Sequence, residues 1–182
     1  YDYDPDAARE LLARAGFEDG FSTTLYTDTT DPDPTIGQAI QQDLAAVGIE
    51  VELVSQAFDA LLGTITVKHQ APMVYLSWYQ DFPDPSDFYD PILSCATNVE
   101  GNFNLAWYCN EDIDAAAQAA KYTLDPEARI AAYKDVFNQI MDDVPWVPIF
   151  HPEAVTLVNP RVTTFSLHPV WTFDLARYAV TE

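Results

Sequence analysis

The stretch FSTTLYTDTTDPDPTIGQAIQQDLAAVGIEVELVSQ, residues 21–56, reads as strand, helix, strand. FSTTLYT, residues 21–27, is a β-prone run with partial alternation, and IEVELVSQ alternates strictly through Ile49, Val51 and Leu53. Between them, Ile36, Ile40, Leu44 and Val47 recur at helical spacing after a turn-rich start and stop at Gly48. A strand, a crossover helix and a second strand of this length predict a unit with parallel strands.

The pattern extends outward in both directions. Upstream, YDPDAARELLARAGFEDGF predicts a helix capped by Asp4, with Pro5 in its first turn, Leu11 and Leu12 as its apolar face and Gly16 as its stop. Downstream, AFDALLGTITV predicts a short helix, and PMVYLSWY, residues 72–79, a strand buried on both faces, as in the middle of a sheet. Two more helices are expected in NEDIDAAAQAAKY and in DPEARIAAYKDVFNQIMDD, the latter capped by Asp125 with Pro126 at its first position. From Val144 onward the helical period is lost, and Val, Phe and Trp broken by Pro read as short strands and loops. The expected fold is therefore α/β, a mostly parallel sheet flanked by helices, followed by a β-rich C-terminal tail. The tail carries Val155, Leu157, Val158, Phe165, Val170, Trp171, Phe173 and Tyr178 with few charges, so it needs a surface to cover it.

Composition excludes several classes. The 182 residues carry 29 Asp and Glu against 8 Lys and Arg, a formal charge of -21. Nucleic acid needs Lys and Arg to neutralise phosphates, so no nucleic-acid partner is expected, and an anionic membrane surface would repel the chain. Two readings fit the acidity: solubility in high salt, where repulsion is screened, or an ordinary acidic secreted protein. No run approaches the ~20 apolar residues of a membrane span. The chain begins at Tyr1 in mid-pattern and is expected to be a fragment or processed form of something longer.

Catalytic and metal signatures are missing. There is no G-x-S-x-G elbow, P-loop, G-x-G-x-x-G or H-E-x-x-H, and His69, His151 and His168 are scattered. No cofactor and no metal are expected. The acidic stretch DFPDPSDFYD could hold Ca²⁺ by its oxygens, but it lacks the glycine and terminal Glu of an EF-hand loop. A calcium-stabilised structural module and a carboxylate-dependent hydrolase are the readings that compete with a binding protein. Cys95 and Cys109 are either one disulfide or two buried thiols; their spacing fits neither a redox pair nor a zinc site.

In SWYQDFPDPSDFYD, residues 77–90, Asp81, Asp84, Asp87 and Asp90 recur every third residue. Pro85 suits the first position of a helix, which makes Asp84 its N-cap and places Asp87 in the first turn. Phe88, Ile92 and Leu93 then face inward, Pro91 marks the end, and Asp90 is expected in solvent. Asp81 is left without an architectural role. It follows the strand at its C-terminal end, where open α/β sheets bind ligands, among Trp78, Tyr79 and Phe82. A carboxylate there calls for a cation; the alternative is a plain turn former.

The motif W-x-x-D-F-P-D-P-S-D-F resembles the signature of the extracytoplasmic solute-binding proteins of ABC transporters, family 5, the oligopeptide, dipeptide and nickel class. DPDAARELLARAGFEDGFSTTLYT, QAIQQDLAAVGIEVEL and ARIAAYKDVFNQIMDDVPWVPIF are similar to segments of that family in the same order. The resemblance implies a lobe of the second periplasmic-binding-protein type. Residues 1–150 would be a C-terminal ligand-binding lobe, and 151–182 strands returning toward an absent N-terminal lobe. It implies a receptor, not an enzyme, for a small solute, a peptide above all, with ABC permease subunits as partners of the full-length protein. The location would be extracytoplasmic, periplasmic or lipid-anchored at the cell surface.

Position by position, it implies that Asp81, three residues after Trp78, binds a peptide's α-ammonium. The backbone of Ser77, Trp78 and Tyr79 would pair with peptide main chain, Phe82 would line the same stretch, and Asn104 would lie near the cleft. SCATNVEGNFNLAWYC is similar to a loop closed by a disulfide in some dipeptide-binding members, which implies a Cys95–Cys109 bridge. For a peptide carboxylate, Lys68 and Arg161 are the central basic candidates, and neither matches a family position. Nickel complexes, oligosaccharides and opines are the alternative solutes within the class.

Overall fold

The computed structural model describes residues 2–67, 70–153, 155–168, 170 and 172–181. Lys68, His69 and Trp171 lie outside the described residues. The chain forms two compact units, one of residues 1–78 and 99–107, the other of 79–98 and 108–182.

The first unit holds the strand–helix–strand core. Helix α1 spans Pro5–Arg14, strand β1 Phe21–Asp28, helix α2 Asp33–Ala45, strand β2 Ile49–Gln56, helix α3 Phe58–Ile65 and strand β3 Met73–Val74. The sheet order is β2-β1-β3, and both pairings are parallel. Strands β1 and β2 pair along their whole length, from Phe21 opposite Ile49 to Asp28 opposite Gln56. Leu25, Ile49, Val51 and Tyr75 form the buried core, with Leu12 of α1 and Ile36, Ile40 and Leu44 of α2 packed on it. Each buried aliphatic side chain contributes about 1.5–3 kcal/mol through area removed from water.

Two glycines bring backbone close enough for this packing. Gly37 of α2 faces the sheet, where a β-carbon would lie 2.8 Å from Leu53 Cδ1. Gly20, at φ +74°, leads into β1 so close to Gly48 that a β-carbon would meet the Gly48 carbonyl oxygen at 1.8 Å.

The helix caps form as read. Asp4 Oδ1 accepts from Ala7 N–H at 2.9 Å, and Asp125 Oδ1 from Ala128 N–H at 2.8 Å. Two expectations are corrected. Leu11 is 58% exposed while Leu12 packs on the core, because adjacent helical residues point about 100° apart. The strand expected over 72–79 is ordered as a ladder only at Met73–Val74, with one further bond from Tyr75 N–H to the Tyr26 carbonyl at 2.9 Å. It is an edge strand, and β1 is the central one. With Tyr26 opposite Val74, β1 ends at Asp28 two residues further on, so residues 77–79 have no backbone partner on it.

The second unit is built on helices. Helix α4 is the short turn Ser86–Tyr89, α5 spans Glu111–Lys121 and α6 Pro126–Asp143. Helix α5 buries Ile113, Ala117 and Ala120, and α6 buries Tyr133, Val136 and Ile140. The alanines let the two helices approach closely. Tyr89, Ile92 and Leu93 fill the same unit, each under 5% exposed. The tail forms two small antiparallel pairs, β4 (Val162–Thr164) with β7 (Ala179–Val180) and β5 (Leu167–His168) with β6 (Thr172–Phe173). Val155, Leu157, Leu175 and Val180 stay exposed in it.

Candidate functional site

The four aspartates of 81–90 separate by environment. Asp84 Oδ1 accepts from the Ser86 N–H at 2.9 Å and the Ser86 hydroxyl at 2.6 Å. Its two oxygens also receive Arg129 Nη2 of α6, at 2.8 and 2.6 Å. Burial raises the Asp84 carboxyl, but the bonds from Ser86 and Arg129 outweigh it and hold it below the ordinary carboxylate value. So Asp84 caps the turn, as expected, although the helix starts one residue later than the capping reading placed it.

Arg129 does more than pair with Asp84. Its Nη1 donates to the Ala120 carbonyl at 3.0 Å and to the Lys121 carbonyl, and its guanidinium sits 5.2 Å above the Tyr133 ring. It therefore closes the C-terminus of α5 while holding the start of α4. Asp90 is not left in solvent. It is half-buried and takes Lys121 Nζ at 2.5 Å, and this pairing raises the lysine's pKa.

Asp87 is 1% exposed. Its Oδ2 accepts the backbone N–H of Asp81 at 3.0 Å, and its own N–H donates to the Asp84 carbonyl at 3.0 Å. Asp81 itself is exposed, and among the described residues no donor reaches its carboxylate. Tyr79 is 71% and Phe82 45% exposed. An open depression lined by Gln80, Pro83, Asp84, Pro85 and Phe88 belongs to the same unit.

In the first unit, Ser77 is exposed and Trp78 is half-buried against Phe103, with ring centroids 5.5 Å apart at 60°. Phe103 stands in the loop 99–107, which is fastened by Gly101 N–H to the Thr66 carbonyl at 3.0 Å. Asn104 is 2% exposed, and its carbonyl accepts from Trp107 N–H at 3.1 Å. Cys95 and Cys109, both of the second unit, form a disulfide across 14 positions. Asp114 Oδ1 braces that region, accepting from Tyr89 Oη at 2.8 Å and from Cys95 N–H at 3.1 Å. Arg161 Nε donates to the Thr181 carbonyl at 3.1 Å in the tail.

The roles of Arg129 and Phe103, and the bond from Asp87 to the Asp81 backbone, are invisible to local reading. Arg129 lies 45 residues from Asp84; its one advance signal is that cations are scarce in so acidic a chain.

Residues 1–100 match the family described as bacterial extracellular solute-binding proteins, family 5 middle. The chain is similar to di/tripeptide-binding protein 2 of Pseudomonas aeruginosa, 31% identical over 96% of this chain and 33% of that protein. It is also similar to the glutathione-binding protein GsiB of Salmonella choleraesuis, 30% identical over 92% of this chain and 34% of that one. Among solved structures, the dipeptide binding protein from Pseudoalteromonas sp. SM9913 in complex with Met-Leu superposes with a TM-score of 0.80 at 28% identity, covering 98% of this chain and 36% of that chain. The periplasmic binding protein DppA from Helicobacter pylori, in complex with the peptide STSA, gives 0.76 at 31% identity over 81% of this chain and 29% of that one. The chain belongs to the family 5 bacterial extracellular solute-binding proteins. It spans about a third of the length of the curated relatives it matches. Among the described residues, no helix is long and apolar enough to cross a membrane.

Proposed function

We propose that this chain is the C-terminal half of the solute cleft of an ABC-importer receptor, and that its solute is a peptide gripped at the α-ammonium by Asp81. The observation that carries the reading is the contrast among the four aspartates. Asp84, Asp87 and Asp90 each have partners, while the Asp81 carboxylate is exposed and takes none from the described residues. A protein carboxylate held on a fixed backbone and facing water is suited to an ammonium group. The exposed rings of Tyr79 and Phe82 flank it in sequence and would exclude water once a solute is seated.

Ser77 and Trp78 are proposed to offer backbone to the peptide. Asn104 stays in the set on the strength of the motif alone. The names of the relatives above, peptide and glutathione binders, support the solute class; both kinds of ligand present an α-ammonium.

The division at residue 150 is part of the same proposal. The exposure of Val155 (84%), Leu157 (96%) and Leu175 (75%) supports a tail, 151–182, that packs on a further lobe of the full-length receptor. That receptor would close about its solute, deliver it to permease subunits and work outside the cytoplasm, with a lipid anchor as the finer expectation.

The test is calorimetry on the full-length receptor. Removing one partner of a desolvated pair costs about 3–5 kcal/mol, so Asp81→Ala should weaken peptide binding by about a hundredfold or more. Unchanged affinity would overturn the assignment.

A further inference from the structure

We propose that Asp87 is a positioning residue that sets the Asp81 carboxylate for its ligand; the inference rests on the reading of Asp81 as the ammonium contact. Asp87 is buried, and it spends one carboxylate oxygen on the backbone of Asp81, six positions earlier. That bond fixes the N–H direction at Asp81 and with it the peptide plane that leads into the residue. Its φ and its two side-chain torsions remain to be set.

The turn between them is fixed as well. Asp84 N–H donates to the Phe82 carbonyl at 2.9 Å, and Asp87 N–H to the Asp84 carbonyl at 3.0 Å. The Asp84 side chain is locked on Ser86 and Arg129. A chain of bonds thus runs from α6, through Arg129, Asp84 and Asp87, to the backbone of an exposed binding residue. Without it, residues 80–83 would have to be ordered at the moment of binding, and that entropy would be taken from the affinity. The tether removes the cost in advance.

A purely structural role and a positioning role differ in what they do to ligand discrimination. The readout is the preference of the full-length receptor for trialanine over N-acetyl-trialanine, which reports the ammonium grip. Hydrogen exchange at the Asp81 amide, followed in parallel, reports the tether without any ligand. Asp87→Leu keeps the branched shape, with methyl groups in place of the oxygens, and removes the acceptor; Asp87→Asn keeps a carbonyl oxygen in the same place. In the unmutated receptor the Asp81 amide is expected to be protected.

Asp87→Leu should speed its exchange at least about tenfold and cut the preference for the free peptide by about tenfold. Asp87→Asn should hold both within about threefold, because an amide oxygen accepts the same bond. Adding Asp87→Leu to Asp81→Ala should cost the preference nothing further. Fast exchange at Asp81 in the unmutated receptor overturns the tether without any variant having to fold. An unchanged preference in Asp87→Leu overturns the positioning role. If the unmutated receptor takes both peptides alike while Asp81 is protected, it is the ammonium reading that fails and the binding use of the tether fails with it; the exchange data keep the two failures apart.

Discussion

The guanidinium of Arg129 holds both oxygens of Asp84, at 2.8 and 2.6 Å, while also closing the C-terminal end of α5. The pair joins α4 to α6, elements with no contact in sequence, and it sets the turn from which Asp81 projects. Both side chains are mostly buried, at 21% and 30% exposure, so water screens them only in part. Arg129→Ala should therefore lower the unfolding free energy by about 2 kcal/mol, between the surface and the fully buried limits. Urea titration at pH 7 measures it; a loss under about 0.5 kcal/mol would mean that the pair is solvated in solution.

The same pair has a pH signature. The folded-state pKa of Asp84 lies below its ordinary value of 3.8. A group lowered in this way gives stability that is present above 3.8 and is lost as pH falls through the lower folded value. The gap in stability between the unmutated chain and Arg129→Ala should be constant from pH 7 to pH 5 and should shrink below about pH 4. Urea midpoints taken from pH 7 down to pH 2.5 decide this, and a gap that widens in acid would contradict the sign.

Much of the fold was legible because its signals are local. Asp125 before Pro126 marks the start of α6 whatever the rest of the chain does, and Gly48 divides α2 from β2. The parallel pairing of β1 with β2 follows from their spacing and the helix between them. What failed was set at a distance. The extent of β3 depends on its register against β1, and no pattern in residues 72–79 records that. Asp90 meets Lys121 across 31 residues. The candidate site divides along the same line. Asp81 could be singled out because Asp84 and Asp87 had local jobs, but the oxygen that holds its backbone could be found only in three dimensions.

Reduction of the Cys95–Cys109 bridge should cost stability without abolishing the fold. The cysteines are separated by 14 positions. Opening a loop of about 15 residues releases unfolded-state entropy worth about 3 kcal/mol in the chain-entropy model. Unfolding in urea with and without dithiothreitol measures the difference. The segment between the cysteines contains Phe103, which packs on Trp78. Tryptophan emission should therefore shift on reduction at urea concentrations well below the midpoint. No change in either quantity would place the bridge outside the folding equilibrium.

The acidic excess makes the last prediction. Among the described residues four ion pairs form: Arg9–Asp6, Lys121–Asp90, Arg129–Asp84 and Arg177–Asp174. Against 29 acidic side chains and a net charge of -21, most carboxylates have no cation of the chain beside them and repel one another across the surface. Folding concentrates that charge, so the folded state carries more of the repulsion than the extended one. Salt removes it: the screening length falls from about 10 Å at 0.1 M to about 3 Å at 1 M. The melting temperature should rise by roughly 3–10 °C between these concentrations, given about 2–4 °C per kcal/mol for a chain of this size. Sodium chloride separates screening from the preferential exclusion of sulfate. The gain should saturate once the screening length is shorter than the spacing between carboxylates. A melting temperature that falls in NaCl would show that the four pairs, which salt weakens, outweigh the repulsion of the unpaired acids.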